Sequence, residues 1–274
     1  MEKLRDFSLI VSQAASGELV FPTSVNAALG LQLALGDPDC ETEDVIRKVL
    51  AEPLLAARTV ALSNAAAFNR NGPPITNVRA AVQRVGFRNL YTMAAAMVVR
   101  QFGARIRDAQ LRAMAEQLWR HSAHVAALAH VVARHVTDTD PDTALFAGII
   151  HEAGGFYLLS RADEIPGLLD DPSDWMGAAQ EIITREMMRK LAIPEPVSLS
   201  IVSLRGATLT PPPMGLRDTL LIAKHLAPVP SPLAPLAGAG AAALAKFIAL
   251  DVDLERMVRE SADEAQSMSA ALLV

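Results

Sequence analysis

Apolar residues recur at helical spacing along this whole chain, and that pattern constrains its fold more than any other feature. The clearest stripe lies in the segment 109–136, where five core-facing positions fall three or four residues apart: Leu118, His121, Val125, Leu128 and Val132. No segment alternates apolar and polar residues as a half-buried strand does, and only 4% of the residues are aromatic. The sequence therefore predicts an all-α protein.

Turn signals divide these helices into two groups. Pro53 and Pro141 begin helices, because proline is favoured in a first turn, and Gly86 ends one. After residue 105 the predicted helices become longer, with segments at 109–136, 141–150, 175–191, 241–250 and 254–273. We expect two packed helical lobes, residues 1–105 and 106–274, the second closing with a C-terminal helical extension. No flexible linker separates the lobes, so they should move as one body.

The composition bounds the stability, the partners and the compartment. A chain of 274 residues that is 51% hydrophobic buries about 73% of its unfolded surface, so its core needs neither a metal nor a disulfide. Cys40 is the only cysteine. The net charge of −5 argues against nucleic acid as a partner, because it cannot neutralise a row of phosphates. The charged N-terminal residues do not resemble a signal peptide, and we expect no 20-residue apolar span that could cross a membrane. We expect a cytoplasmic protein that is not in a membrane.

Histidines provide a candidate centre for chemistry. Four of the six lie between residues 121 and 135, and His121 is the one on the apolar stripe. Thirty residues later comes the pair His151-Glu152. Imidazole and carboxylate suit a divalent metal ion, and two helices can bring such residues together. For a lone histidine on an apolar stripe we favour the simpler interpretation, a core residue bonded to a backbone carbonyl. The other three histidines of the cluster are expected at the surface.

Motifs around these histidines resemble the HD superfamily of metal-dependent phosphohydrolases. They are Leu118-Trp119-Arg120-His121-Ser122, Val125-Ala126 and the segment 144–151. The N-terminal half is similar, more narrowly, to HDOD domains, the HD-related output domains of bacterial signalling proteins. That resemblance is carried by Phe21-Pro22, Gly36-Asp37-Pro38-Asp39, Leu50-Ala51-Glu52-Pro53-Leu54, Leu62-Ser63-Asn64-Ala65, the segment 75–81 and Val85-Gly86. It covers residues 21 to 194 and implies that the second lobe is an HD-like helical bundle.

Departures from the HD pattern decide which chemistry to expect. HD hydrolases use a His, a His-Asp pair and a later Asp as ligands, often with a Lys after the pair. The matching positions here are His121, His151, Glu152 and Lys224, and Gly155 replaces the lysine. A cation at position 224 would repel a metal, since two like charges about 4 Å apart cost about 4 kcal/mol at an effective dielectric constant of about 20. We expect vestigial site positions, with no catalytic residue, metal or cofactor.

The resemblance implies a regulatory function, namely a non-catalytic signalling module that binds a protein partner, or a small signalling ligand, in the groove between its lobes. Candidate binding residues are Arg120 beside the vestigial site and Glu52, Arg58 and Asn64 in the N-terminal signature. Glu52 is equally explained as an ordinary acid at a helix start, and Asn64 as a backbone-bonded cap. Two alternatives stay open: a divergent metal phosphohydrolase that uses the same histidines and glutamate, and a helical nucleic-acid binder. The oligomeric state is not indicated.

Overall fold

The computed structural model describes residues 2–19, 26–37, 39–65, 68–69, 72–170, 178–209, 212–233 and 262–273, and every regular element in these ranges is helical. In chain order the helices are α1 (Glu2–Ala15), α2 (Asn26–Leu35), α3 (Thr42–Leu50), α4 (Pro53–Ser63), α5 (Val78–Gly103), α6 (Ala109–Val132), α7 (Pro141–Ile150), α8 (Ala153–Glu164), α9 (Ala178–Lys190), α10 (Glu195–Val202), α11 (Gly215–Leu226) and α12 (Ala262–Leu273). The predicted all-α class is confirmed. None of the described helices has the length and apolarity to cross a bilayer.

The starts of the helices follow the local sequence. Pro53 and Pro141 stand in the first turns of α4 and α7, as predicted, because proline fixes φ and has no N–H that would lack a partner there. Asp108 and Asp140 precede α6 and α7, and their carboxylates accept hydrogen bonds from backbone N–H groups of the first turn. These caps satisfy donors that an α-helix leaves unbonded at its start.

Two helices differ in length from the prediction. The segment expected to stop at Gly86 resumes beyond it, because Gly86 forms a kink at φ 78°, a conformation open to glycine, and α5 then continues to Gly103. The helix expected over 109–136 ends earlier, at Val132, and the chain passes into the π-helical turn Ala133–Thr137. Apolar spacing does not separate an α-helical turn from the rarer π-helical one, so this change could not be predicted from the sequence.

The later helices lie where the sequence predicts them, but their lengths differ from the predicted ones. The segment predicted over 175–191 contains α9, and the one predicted over 254–273 contains α12. The helix predicted over 241–250 lies outside the described residues. The division into lobes at residue 105 stays a prediction, and it falls in the short connection between α5 and α6.

Helix α6 is central to the packing that builds the site. It contacts α7, α11 and α12, and the approach of α7 is close enough that a Cβ atom at Gly148 would lie 2.4 Å from the Cα atom of Ala126. A single large hydrophobic cluster extends from Ile10 in α1 to Leu272 in α12. The first and last described helices therefore share one core with α6.

Candidate functional site

Three of the predicted site residues converge where α6 meets the end of α7. His121 lies in the middle of α6, His151 directly follows α7, and Glu152 stands between α7 and α8. The two imidazole rings are tilted against each other with their centroids 5.4 Å apart. All three residues are buried, with at most 8% of their surface exposed. The packing of α6 on α7 thus brings together residues that are thirty positions apart in sequence.

Backbone carbonyls fix the tautomers of the two imidazoles. His121 Nδ1 lies 2.7 Å from the carbonyl oxygen of Val229, and His151 Nδ1 lies 2.7 Å from that of Gly148. Because a carbonyl oxygen only accepts, each Nδ1 must carry the proton and donate it. Each Nε2 is therefore a lone-pair acceptor, and both Nε2 atoms are buried without a hydrogen-bond partner among the described residues. The backbone-bonded core histidine favoured from the sequence is confirmed for His121.

Glu152 is held by an ammonium group from α11. Lys224 Nζ donates to Glu152 Oε1 at 3.0 Å, and His151 Nε2 lies 3.7 Å from the same oxygen. Burial by itself would raise the pKa of Glu152, but the charge of Lys224, followed by the neighbouring imidazoles and the hydrogen bond from Lys224, holds that pKa below its ordinary value. The carboxylate is therefore ionised at neutral pH, and the Lys224 ammonium compensates its charge.

Both imidazoles are neutral in this setting. Burial lowers the pKa of His121, although the neighbouring Glu152 carboxylate acts in the opposite direction. Burial lowers the pKa of His151 still further, and the positive charge of Lys224 adds to the effect. At neutral pH the site consequently contains two uncharged imidazoles and one ion pair.

A proline-rich segment that follows α11 closes the site on one side. In this segment the Val229 carbonyl accepts a hydrogen bond from His121, and the Pro230 carbonyl accepts a 3.0 Å hydrogen bond from Gln117 on α6. Leu233 packs so tightly that a Cβ atom at Gly155 would lie 2.8 Å from its Cδ1. No motif in the sequence distinguishes this segment. Its role depends on carbonyl groups that every residue type has, so side-chain identities gave no signal for it.

The ligand atoms suit a transition-metal ion, but the charge around them does not. One ring nitrogen of His121, one ring nitrogen of His151 and a Glu152 oxygen all lie within 4.8 Å of one another. Bonds of about 2.0–2.1 Å require ligands about 3.3 Å apart in a tetrahedral site, so these atoms would have to move closer together to bind an ion. Lys224 Nζ, however, donates to the carboxylate oxygen that a metal would need. With Lys224 in this position the residues present do not fit a metal ion.

Arg58 and Trp119 form a separate buried cluster. Arg58 is fully buried in α4, and its Cζ atom lies 5.6 Å from the centroid of the Trp119 ring. Arg100 approaches the same ring at 5.5 Å. Burial, followed by the charge of Arg100, lowers the pKa of Arg58 to about 10. Arg58 thus belongs to the interior of the protein. Arg100 was not predicted as part of this cluster, because no motif on α5 distinguishes it.

The other candidate residues do not meet at one place. Asn64 binds the backbone of the following loop, since its side chain donates to the Ile75 carbonyl and accepts from the Ile75 N–H, each at 2.8 Å. Glu52 is half-buried at the start of α4 and makes no side-chain cap bond there. Arg120 is exposed on α6, next to His121 in the chain. The surface position expected for His130 is wrong, because its ring is buried and its Nδ1 atom lies 3.1 Å from a backbone carbonyl.

Solved structures share this fold over most of this chain. A candidate metal-dependent phosphohydrolase from Shewanella amazonensis SB2B has a TM-score of 0.74 at 18% identity, covering 99% of this chain and 100% of its own. An HDOD domain protein of unknown function from Geobacter sulfurreducens has a TM-score of 0.63 at 18% identity, covering 97% of each chain. A candidate signal transduction protein from Marinobacter aquaeolei VT8 gives 0.58 at 17% identity, with 94% of this chain and 60% of that one covered.

These identities are low, so the structural likeness shows the fold alone. A search of curated proteins finds no match for the chain. The family is shown by the sequence itself, since the HDOD domain matches residues 21–190, which is more than half of the chain. This match includes α6, α7 and the two histidines of the site. The chain therefore belongs to the HDOD domain family.

Proposed function

We propose that this protein is a non-catalytic regulatory module that acts by binding a protein partner in a signalling pathway. The observation that carries the proposal is the ion pair between Lys224 and Glu152, at 3.0 Å. It places a fixed positive charge against the one carboxylate of the histidine cluster, so a metal ion would have to displace that charge before it could bind. The carboxylate of Glu152, which a hydrolase would use as a metal ligand, is thereby paired with Lys224.

The groove between the two predicted lobes is the proposed binding surface. A small signalling ligand is the second kind of molecule that such a groove would accept. Arg120 lies exposed on α6 beside the buried site, and a guanidinium is well suited to recognise carboxylate or phosphate groups of a partner. The candidate signal transduction protein from Marinobacter aquaeolei VT8 has a related fold, which is consistent with a regulatory role.

The test combines metal analysis, turnover and partner capture. Protein purified without chelators should contain less than a stoichiometric amount of transition metal and should not hydrolyse a phosphodiester. A partner captured from the native host and then purified should bind the wild type directly. Arg120→Glu should weaken this binding about tenfold, because a charge at a recognition contact is reversed. Lys48→Glu reverses an exposed charge on α3 and serves as the matched control.

A divergent metal-dependent phosphohydrolase is the competing function. The observation that favours it is the convergence of two imidazole nitrogens and one carboxylate oxygen within 4.8 Å. Stoichiometric metal in the wild type, together with phosphodiester turnover that His151→Ala abolishes, would establish this function and overturn the regulatory proposal.

A further inference from the structure

Two guanidinium groups lie against one buried indole ring where elements of the two predicted lobes meet. The Cζ atom of Arg58 on α4 lies 5.6 Å from the centroid of the Trp119 ring on α6, and the Cζ atom of Arg100 on α5 lies 5.5 Å from it. Only 3% of Trp119 is exposed. The face of the indole attracts each cation, but the two like charges repel each other. The surroundings of this ring therefore favour a negatively charged group.

Hydrogen-bond donors of this cluster lack acceptors. Arg100 Nη1 and Trp119 Nε1 are both buried, and neither has a hydrogen-bond partner among the described residues. The same holds for the hydroxyl of Ser122, which lies one turn further along the same side of α6. Nearly all buried polar groups in proteins are bonded, so exceptions call for an explanation such as a bound ion. Two unsatisfied donors at one ring point to an acceptor that a ligand supplies.

A phosphate group matches these donors in charge and shape. A guanidinium presents its N–H groups in a planar fork that fits two oxygens of a phosphate, and an indole N–H can donate to a third. A carboxylate has only two oxygens, which the fork alone would occupy. Because Arg100 is only partly buried, its flexible side chain can move to admit the group from the surface.

We propose that Arg100 and Trp119, assisted by the positive charge of Arg58, bind a phosphate group, either free or carried by a small molecule. The site lies between α4 and α5 of the first predicted lobe and α6 of the second, and it shares no residue with the histidine cluster. A bound phosphate would therefore link the lobes and stabilise the folded protein. The inference names a ligand for the groove between the lobes, so it rests on the small-ligand form of the proposed function.

The test is calorimetric titration of the whole chain with inorganic phosphate at constant ionic strength. We expect one phosphate per chain and a melting temperature that rises with phosphate but not with chloride. Arg100→Gln should weaken phosphate binding about tenfold or more, because it removes a charge-assisted hydrogen bond. Arg205→Gln, at an exposed position after α10, is the matched control and should bind phosphate as the wild type does.

A second variant keeps the proposal falsifiable if Arg100→Gln folds poorly. Trp119→Phe keeps an aromatic ring for the two arginines but removes the N–H, so it should weaken phosphate binding about threefold to tenfold. Glycerol phosphate distinguishes the sources of the group. Its binding in competition with inorganic phosphate would support a phosphate ester as the ligand, and its exclusion would support the free ion.

Three results would overturn the proposal: no phosphate binding by the wild type, binding that folded Arg100→Gln and Trp119→Phe leave unchanged, or acetate that binds as tightly as phosphate. None of them touches the direct binding of a captured protein partner. Phosphodiester turnover by the wild type would instead contradict the proposed regulatory function, so the two failures are distinguishable.

Discussion

At the scale of single residues, one lysine determines the electrostatics of the buried site. The sequence placed Lys224 where an HD hydrolase has its last acidic ligand, and from this we predicted repulsion of a metal. It could not predict that the ammonium reaches Glu152, because the two residues are 72 positions apart and meet only through the packing of α11 beside α6 and α7. The candidate ligands were thus predictable from their order in the chain, whereas their charge balance depends on tertiary contacts.

Loss of the Lys224 ammonium should destabilise the protein. Lys224→Met leaves Glu152 buried and without its compensating charge, which costs about 3–5 kcal/mol for a fully buried pair. Because about a third of the Lys224 side chain is exposed, we expect a loss near the lower end, about 3 kcal/mol. Urea denaturation at pH 7 in the presence of a chelator measures it.

The double variant Lys224→Met with Glu152→Gln separates the lost ion pair from lost packing. Glutamine has the shape of glutamate and no charge, so removing both charges should restore most of the stability that the single variant loses. A single variant as stable as the wild type would show that Glu152 is solvated in solution, contrary to the burial seen here.

At the scale of helices, the contact between α6 and α7 leaves no room for a side chain at Gly148. A Cβ atom there would lie 2.4 Å from the Cα and 2.8 Å from the backbone nitrogen of Ala126. Backbone atoms in a helix cannot move aside, so Gly148→Ala should destabilise the protein by about 3 kcal/mol and separate the two histidines of the site. The measurement is the free energy of unfolding from urea titration.

Gly30 in α2 is the matched control for this substitution. Apart from the chain neighbours of Gly30 and the backbone of α2 itself, no atom of the described residues lies within 4 Å of a Cβ atom at this position. Gly30→Ala should therefore stabilise the protein by about 0.5–1 kcal/mol, because alanine is the better helix former. If Gly148→Ala were stabilising as well, the close approach of α6 and α7 would be wrong.

The starts of helices were more predictable than their ends. Pro53 and Pro141 mark starts through a local property of proline, and the structure confirms both. The helix ends predicted near Gly86 and Val132 were wrong. The kink at Gly86 and the π-helical turn after Val132 depend on the packing of the neighbouring helices. Local sequence thus predicts where a helix can begin, but packing decides where it stops.

The junction between α5 and α6 should be sensitive to acid. Asp163 in α8 accepts hydrogen bonds from the backbone N–H groups of Asp108 and Arg107, at 2.8 and 3.0 Å, and these bonds lower its pKa. A carboxylate with a lowered pKa stabilises the fold above its ordinary value near 3.8 and loses this contribution as the pH falls through the lowered value. Asp163→Asn, which keeps an oxygen acceptor without the charge, should therefore be less stable than the wild type at pH 5.5.

This difference should shrink as the pH falls below 3.8 towards the lowered pKa of Asp163, because the wild-type carboxyl then also begins to take up a proton. Urea midpoints measured between pH 5.5 and pH 3 would show the convergence. Glu116→Gln, at an exposed position on α6, controls for the loss of a carboxylate elsewhere. A difference between wild type and Asp163→Asn that does not change with pH would contradict the assignment.

At the scale of the whole molecule, a hydrogen-bond network that starts at the buried Gln32 joins the two predicted lobes. Gln32 in α2 donates to the carbonyl of Leu191 and to the hydroxyl of Tyr91, and the Tyr91 hydroxyl in turn donates to the Ala192 carbonyl at 2.9 Å. Residues 191 and 192 directly follow α9 in the second lobe. Together with the continuous core from Ile10 to Leu272, this network supports the expectation that the lobes behave as one body.

Unfolding should therefore occur in one transition. Gln32→Leu should lower the free energy of unfolding, and this variant should still unfold in a single transition. The leucine fills the space of Gln32 but leaves a buried carbonyl without its donor, which costs about 1–3 kcal/mol. Far-UV circular dichroism follows all helices, while the fluorescence of the buried Trp119 contributes a signal from α6, so coincident urea curves would indicate a single unit. Gln83→Leu, at an exposed position on α5, controls for the added apolar side chain. Two separate transitions in the wild type would show that residues 1–105 and 106–274 fold independently, and the network would then not couple them.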